Sequence, residues 1–201
     1  MIISIRGNDV IWNLPNILTW LRILAIPLVI VLFYCGVAEP LRWFYPAAGL
    51  VFAAAAITDS LDGYLARRLG QTTPLGAFLD PVADKLIVTV ALLLIVSRDS
   101  RWLMVLAAIV IVGREIAVSA LREWMAVLGE RGLVAVSVLG KYKTILQMVG
   151  LSLLLYRHSF LGIPIYQLGV WLLGVAAVLT LVSMVAYLRA AAPVLLRRPA
   201  G

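Results

Sequence analysis

The chain has 201 residues, 63% apolar and 13% charged, with 17 Lys and Arg against 10 Asp and Glu. Soluble domains run nearer about 45–50% apolar and about 25% charged, so a mean hydropathy of +1.03 excludes a water-soluble fold and a disordered chain alike. The formal charge of +7 comes from basic residues scattered between lipid-like stretches, which fits anchoring at membrane edges and excludes a nucleic-acid partner. The single cysteine, Cys35, cannot form an intramolecular disulfide.

At about 20 residues per transmembrane helix, the chain divides into six apolar spans joined by short turns. In chain order they run 14–34, 43–69, 75–96, 102–128, 134–156 and 166–188. The third follows the turn Gly70-Gln71-Thr72-Thr73-Pro74, and the sixth follows Gly162-Ile163-Pro164. No small-residue cleavage site follows the first span, so it reads as a retained helix and not a leader. The expected architecture is all-α: one integral membrane bundle of six transmembrane helices over 1–201, with an N-terminal segment 1–13, a core 14–190 and a tail 191–201.

Placing the N-terminus in the cytoplasm leaves only Arg42, Arg98, Arg101 and Arg157, of 17 basic residues, on the far side. The positive-inside rule therefore puts both termini at the cytoplasmic face. Trp20, Trp43, Trp102, Trp124 and Trp171 sit near span ends, as an interfacial belt would.

The acids are unusual for such a chain. Asp59, Asp62, Asp80 and Asp84 fall at the cytoplasmic ends of spans two and three, either side of one turn. An ionised carboxylate within a membrane segment costs several kcal/mol, so something cationic must lie among them. Asp59, Asp62, Gly63 and Ala66 share one helical face at i, i+3, i+4, i+7, and Gly76, Asp80 and Asp84 repeat at i, i+4, i+8. Pro81 would free the carbonyl of Ala77 if the helix runs through it. All-oxygen ligation favours Mg²⁺ or Mn²⁺ over zinc, and four carboxylates suit two such ions. The plainer alternatives are ion pairs of these acids with Arg67, Arg68 and Lys85, and close helix packing at the small residues.

Written out, Asp59-x2-Asp62-Gly63-x2-Ala66-Arg67-x8-Gly76-x3-Asp80-x3-Asp84 resembles the signature of the CDP-alcohol phosphatidyltransferases at all eight fixed positions. The blocks Asn13–Thr19 with Arg22, Phe78–Lys85, Arg114-Glu115 through Leu121-Arg122-Glu123, and Gly140–Thr144 with Gln147-Met148 are similar to the bacterial phosphatidylglycerophosphate synthase branch. The resemblance implies a six-helix inner-membrane enzyme, usually a homodimer, whose active site opens to the cytoplasm. It implies transfer of a phosphatidyl group from CDP-diacylglycerol to sn-glycerol 3-phosphate with release of CMP, the committed step toward phosphatidylglycerol and cardiolipin.

On that resemblance Asp59, Asp62, Asp80 and Asp84 hold two Mg²⁺ or Mn²⁺ ions, and Asp84 is the candidate base. Gly63, Ala66 and Gly76 make room for the CDP-diacylglycerol nucleotide, and Arg67 pairs with a phosphate or orients Asp59 and Asp62. The acceptor is an anion, so Arg114, Arg122, Lys141, Lys143 and Thr144 form the expected phosphate pocket; lipid-face anchoring is the alternative for Lys143. Helix capping by Asn13 or Asn16 is the expected role at the start of the first span, and an approach of Asn16, Thr19 and Arg22 to the site is the alternative. The last span carries no motif. Competing readings are the same chemistry with another acceptor (a cardiolipin, phosphatidylserine or phosphatidylinositol-phosphate synthase) and a divalent-cation transporter, which would need ionisable groups along a path across the bilayer.

Overall fold

The computed structural model describes the backbone of residues 14–38, 43–69, 74–129 and 138–195, with the side chains of 14–15, 60–69, 74–75, 77, 138–141 and 194–195 not described. The described residues form six helices: α1 Leu14–Ala38, α2 Phe44–Leu69, α3 Pro74–Arg98, α4 Trp102–Val127, α5 Val138–Tyr156 and α6 Ile165–Leu195. Three of them carry stretches long and apolar enough to cross a membrane: Asn16–Ala38, Trp102–Val127 and Ile165–Pro193. The outward faces are apolar as well, with Leu24, Ile109 and Val127 among many large exposed side chains. A surface of that kind suits lipid and not water. The chain is an all-helical membrane protein.

Three helices, α1, α3 and α6, are longer than their apolar stretches suggest. α6 continues past Arg189 through Ala190, Ala191 and Ala192 to Leu195, because alanine favours helix whether or not the segment lies in lipid. α3 opens on Pro74, whose fixed φ and missing N–H suit a first helical position. It then runs unbroken through Pro81, so the Ala77 carbonyl loses its helical partner, as the sequence led one to expect.

α1 lies against α2 and α3, α5 is seated on α2, α3 and α6, and α4 packs on α3 and α6. The core is a column of apolar side chains that includes Val29, Phe33, Phe52, Leu92, Ile95, Ile111, Leu151 and Leu155. Glycine brings α5 close to its neighbours. A Cβ on Gly49 of α2 would lie 2.7 Å from the Tyr156 backbone nitrogen and 2.8 Å from the Ser152 carbonyl. A Cβ on Gly169 of α6 would lie 2.9 Å from Leu154 Cγ and 3.0 Å from the Gly150 carbonyl of α5.

The end of the bundle remote from the acids is closed by a polar clasp. Asp99, between α3 and α4, accepts bonds from Arg101 Nε at 2.8 Å and Nη2 at 2.6 Å, and from the Tyr166 hydroxyl of α6. Arg157, held at φ 63°, places its guanidinium 5.5 Å from the ring centres of both Tyr45 and Tyr166. The Arg101 hydrogen bond keeps the Asp99 carboxyl well below the usual carboxylate range, against the opposing effect of burial, and Tyr166 adds to the lowering. A lowered carboxyl pKa stabilises the fold at pH values above the unfolded value, about 4, and that stability is lost as pH falls further. Asp99→Asn should therefore lower the thermal midpoint in detergent at pH 7, and the gap to the parent protein should close below about pH 4. A gap independent of pH would show that the ionised carboxylate is not what the clasp uses.

Candidate active site

The acids of α2 and α3 meet at one residue of α1. Asp59 lies on α2, while Asp80 and Asp84 lie one turn apart on α3 beside the buried Gly76. The cation that the acids require comes from α1. Arg22, with a side chain 1% exposed, places Nη1 2.7 Å from Asp59 Oδ1 and 3.2 Å from Asp84 Oδ1. Thr19, one turn earlier, donates to Asp80 Oδ1 at 2.6 Å. Lys85 is exposed and does not fill that place. Asp62, Gly63, Ala66, Arg67 and Arg68 lie on the last turns of α2, and their side chains fall outside the described residues.

This corrects the capping expectation. α1 begins at Leu14, so Asn16 is inside the helix, and Asn13 lies outside the described residues. Asn16, Thr19 and Arg22 recur every three residues and are 3%, 1% and 1% exposed, which makes a buried polar stripe on an otherwise apolar helix. That spacing was the available signal.

A cavity of about 390 Å³ opens beside the acids, lined by Asp84, Lys85, Glu115, Ser119, Arg122, Thr144 and Gln147 with Pro81, Val88 and Met148. Of the residues expected to bind the acceptor, Arg122 and Thr144 line it, while the Lys141 side chain is outside the described residues. Arg114 and Lys143 are not on its wall. They are 7% and 2% exposed and reach a single oxygen, Glu115 Oε1, at 3.0 and 2.6 Å. A lysine so deeply buried does not anchor the lipid face; it is fixed in the bundle by a carboxylate.

α6 does more than the sequence suggested. Its Ser183 hydroxyl accepts from Arg114 Nη2 at 3.2 Å, and its Tyr187 hydroxyl accepts from Arg122 Nη2 at 2.8 Å. Both guanidinium groups also stand over the Tyr187 ring, at 5.5 and 5.2 Å. One tyrosine therefore sets the direction of two arginines, although they point about 80° apart around α4.

A second, apolar groove of about 340 Å³ runs between α2 and α5 past Ala53, Ala56 and Ile57 to Asp59. Thr144 and Met148 line both spaces. The acids thus stand where a polar cavity and a lipid-like groove meet.

The donor chemistry fits a hard divalent ion. Asp59 of α2 and Asp84 of α3 approach one cationic nitrogen, with Asp80 one turn away on α3, so the oxygens nearest that charge are carboxylates. Among the described residues no three acidic, histidine or cysteine side chains form a ready cage, since Asp80 turns to Thr19 while Asp59 and Asp84 share Arg22.

The family profile described as CDP-alcohol phosphatidyltransferase matches residues 12–182. The CDP-diacylglycerol–glycerol-3-phosphate 3-phosphatidyltransferase of Escherichia coli (strain K12) is 49% identical over 180 residues, which is 90% of this chain and 95% of that protein. The protein of the same name from Shigella flexneri serotype 5b (strain 8401) is similar to the same extent. With a profile match through five helices and most of the sixth, this chain belongs to the CDP-alcohol phosphatidyltransferase family.

Proposed function

We propose that the protein transfers the phosphatidyl group of CDP-diacylglycerol to the terminal hydroxyl of sn-glycerol 3-phosphate, giving phosphatidylglycerophosphate and CMP. The observation that carries this reading is one cavity with Asp84 at one side and Arg122 at another, in a chain 49% identical to enzymes named for that reaction. Asp84 takes the hydroxyl proton, and the oxygen attacks the phosphorus that bears diacylglycerol. The bond from that phosphorus to the bridging oxygen breaks, and CMP leaves with the electron pair. Two ions, Mg²⁺ or Mn²⁺, held by Asp59, Asp62, Asp80 and Asp84, supply charge neutralisation for the pyrophosphate when bound.

Gly63, Ala66 and Gly76 leave room for the nucleotide, and Arg67 either pairs with its phosphates or orients Asp59 and Asp62. Arg122 takes the acceptor phosphate with Thr144 and Lys141, while Arg114 and Lys143 act from behind Glu115. The acyl chains enter from the lipid side. All six helices cross the inner membrane as one domain, with both termini and the cavity at the cytoplasmic face, and the enzyme works as a homodimer. The Lys and Arg distribution supports that orientation.

Arg122→Gln tests the acceptor assignment. Loss of one charge-assisted contact from a partly dry pocket costs roughly 1.5–3 kcal/mol, or on the order of 10–150-fold in kcat/KM for glycerol 3-phosphate. The KM for CDP-diacylglycerol should move little. An effect confined to CDP-diacylglycerol would assign Arg122 to the donor instead.

A further inference from the structure

Once Asp84 and Arg122 are assigned to the reacting hydroxyl and the phosphate, one polar atom on the cavity wall remains unexplained. Gln147 is 4% exposed, lines the cavity, and its side-chain carbonyl Oε1 has no hydrogen-bond partner among the described residues. The buried Nε of Arg122, on the same wall, also lacks a partner among the described residues. The two atoms are opposite in kind. Arg122 Nε is a donor and suits an anion, whereas Gln147 Oε1 is an acceptor and requires an O–H or N–H. A buried polar atom left unpaired is costly, so native proteins fill such positions with protein, water or ligand.

A phosphate dianion has no proton to give to Gln147. The terminal hydroxyl of the acceptor gives its proton to Asp84. The group that remains on glycerol 3-phosphate is the hydroxyl of the middle carbon. Resting on the reaction proposed above, we infer that Gln147 binds this non-reacting hydroxyl and makes the site selective for a phosphorylated diol over a phosphorylated mono-alcohol. Gln147 lies one helical turn beyond Lys143, whose Nζ is held by Glu115 at 2.6 Å, so its backbone position is fixed by the same ion pair that orders the cation cluster. It is a specificity residue and takes no part in bond making.

The test compares two acceptors with the purified full-length protein in detergent: glycerol 3-phosphate and 3-hydroxypropyl phosphate, which lacks only the middle hydroxyl. The parent enzyme should prefer glycerol 3-phosphate by on the order of 10–100-fold in kcat/KM, because the shorter-equipped acceptor leaves Gln147 unpaired. Gln147→Leu should bring that ratio close to unity, and Gln147→Glu, which keeps an acceptor oxygen, should retain a preference. The ratio is internal to each variant, so partial loss of folded enzyme cancels. Equal use of both acceptors by the parent enzyme would overturn the inference and indicate that water satisfies Gln147. A preference undiminished in Gln147→Leu would overturn it as well. Turnover of neither acceptor would instead overturn the underlying reaction, which separates the two failures.

Discussion

Asp84→Asn should lower turnover by roughly three orders of magnitude or more, while binding of the cytidine nucleotide survives better than in Asp59→Ala. General-base removal alone is worth about 10²–10⁴-fold, and loss of a carboxylate charge beside divalent ions adds to it. The contrast between the two acids comes from their surroundings. Asp84 is 40% exposed and lines the polar cavity, whereas Asp59 is 30% exposed and lines the apolar groove between α2 and α5. The first is positioned to meet the acceptor, the second to meet the donor. CMP release in a single-turnover assay, read beside nucleotide binding by calorimetry, separates the roles. Near-parental turnover in Asp84→Asn would remove it as the base.

The second large effect is on stability. Glu115 is the shared anion for Lys143 and Arg114, whose side chains are 2% and 8% exposed. Glu115→Leu leaves two buried cations near one another without that anion. Breaking a buried pair from one side costs about 3–5 kcal/mol, equivalent to a thermal midpoint lower by roughly 6–20 °C in a chain of this size. Adding Lys143→Met should recover part of the loss, because an apolar pair of similar volume needs no desolvation. A cycle of the two single variants and the double variant measures this coupling directly. If the losses simply add, the Glu115–Lys143 contact is not holding the cluster.

How much of this could be read from the sequence differs between elements and site. The helices were legible because lipid demands long apolar runs: each expected span overlaps a described helix, and three of those helices, α1, α4 and α6, carry a stretch long and apolar enough to cross a membrane. Helix ends were less so: α6 outlasts its apolar stretch since Ala190–Ala192 extend the backbone helix after Arg189 has ended the hydropathy signal. Asp59, Asp80 and Asp84 were legible as a group because their helical spacing needs no tertiary knowledge, while the side chain of Asp62 lies outside the described residues. Their cationic partner was not. Arg22 meets Asp84 across 62 positions, Arg114 meets Ser183 across 69, and Arg122 meets Tyr187 across 65. Periodicity identifies which face a residue occupies and carries no information about which helix that face will meet. Ser183 and Tyr187 were hidden for that reason, on a helix whose composition is otherwise that of a plain membrane span. The charge imbalance did carry a hint: acids set in apolar spans demand a counter-charge, and Arg22 was the basic residue set within the first span.

The central claim is the reaction itself, and product identification tests it most directly. Purified protein in detergent would be incubated with CDP-diacylglycerol, Mg²⁺ and a panel of acceptors: glycerol 3-phosphate, serine, inositol phosphate and phosphatidylglycerol. The lipid product would be identified by mass spectrometry and CMP counted against it. The account predicts phosphatidylglycerophosphate and CMP in equal amounts from glycerol 3-phosphate alone, with no product in excess EDTA. A lipid bearing another head group, or full turnover in the chelator, would contradict it.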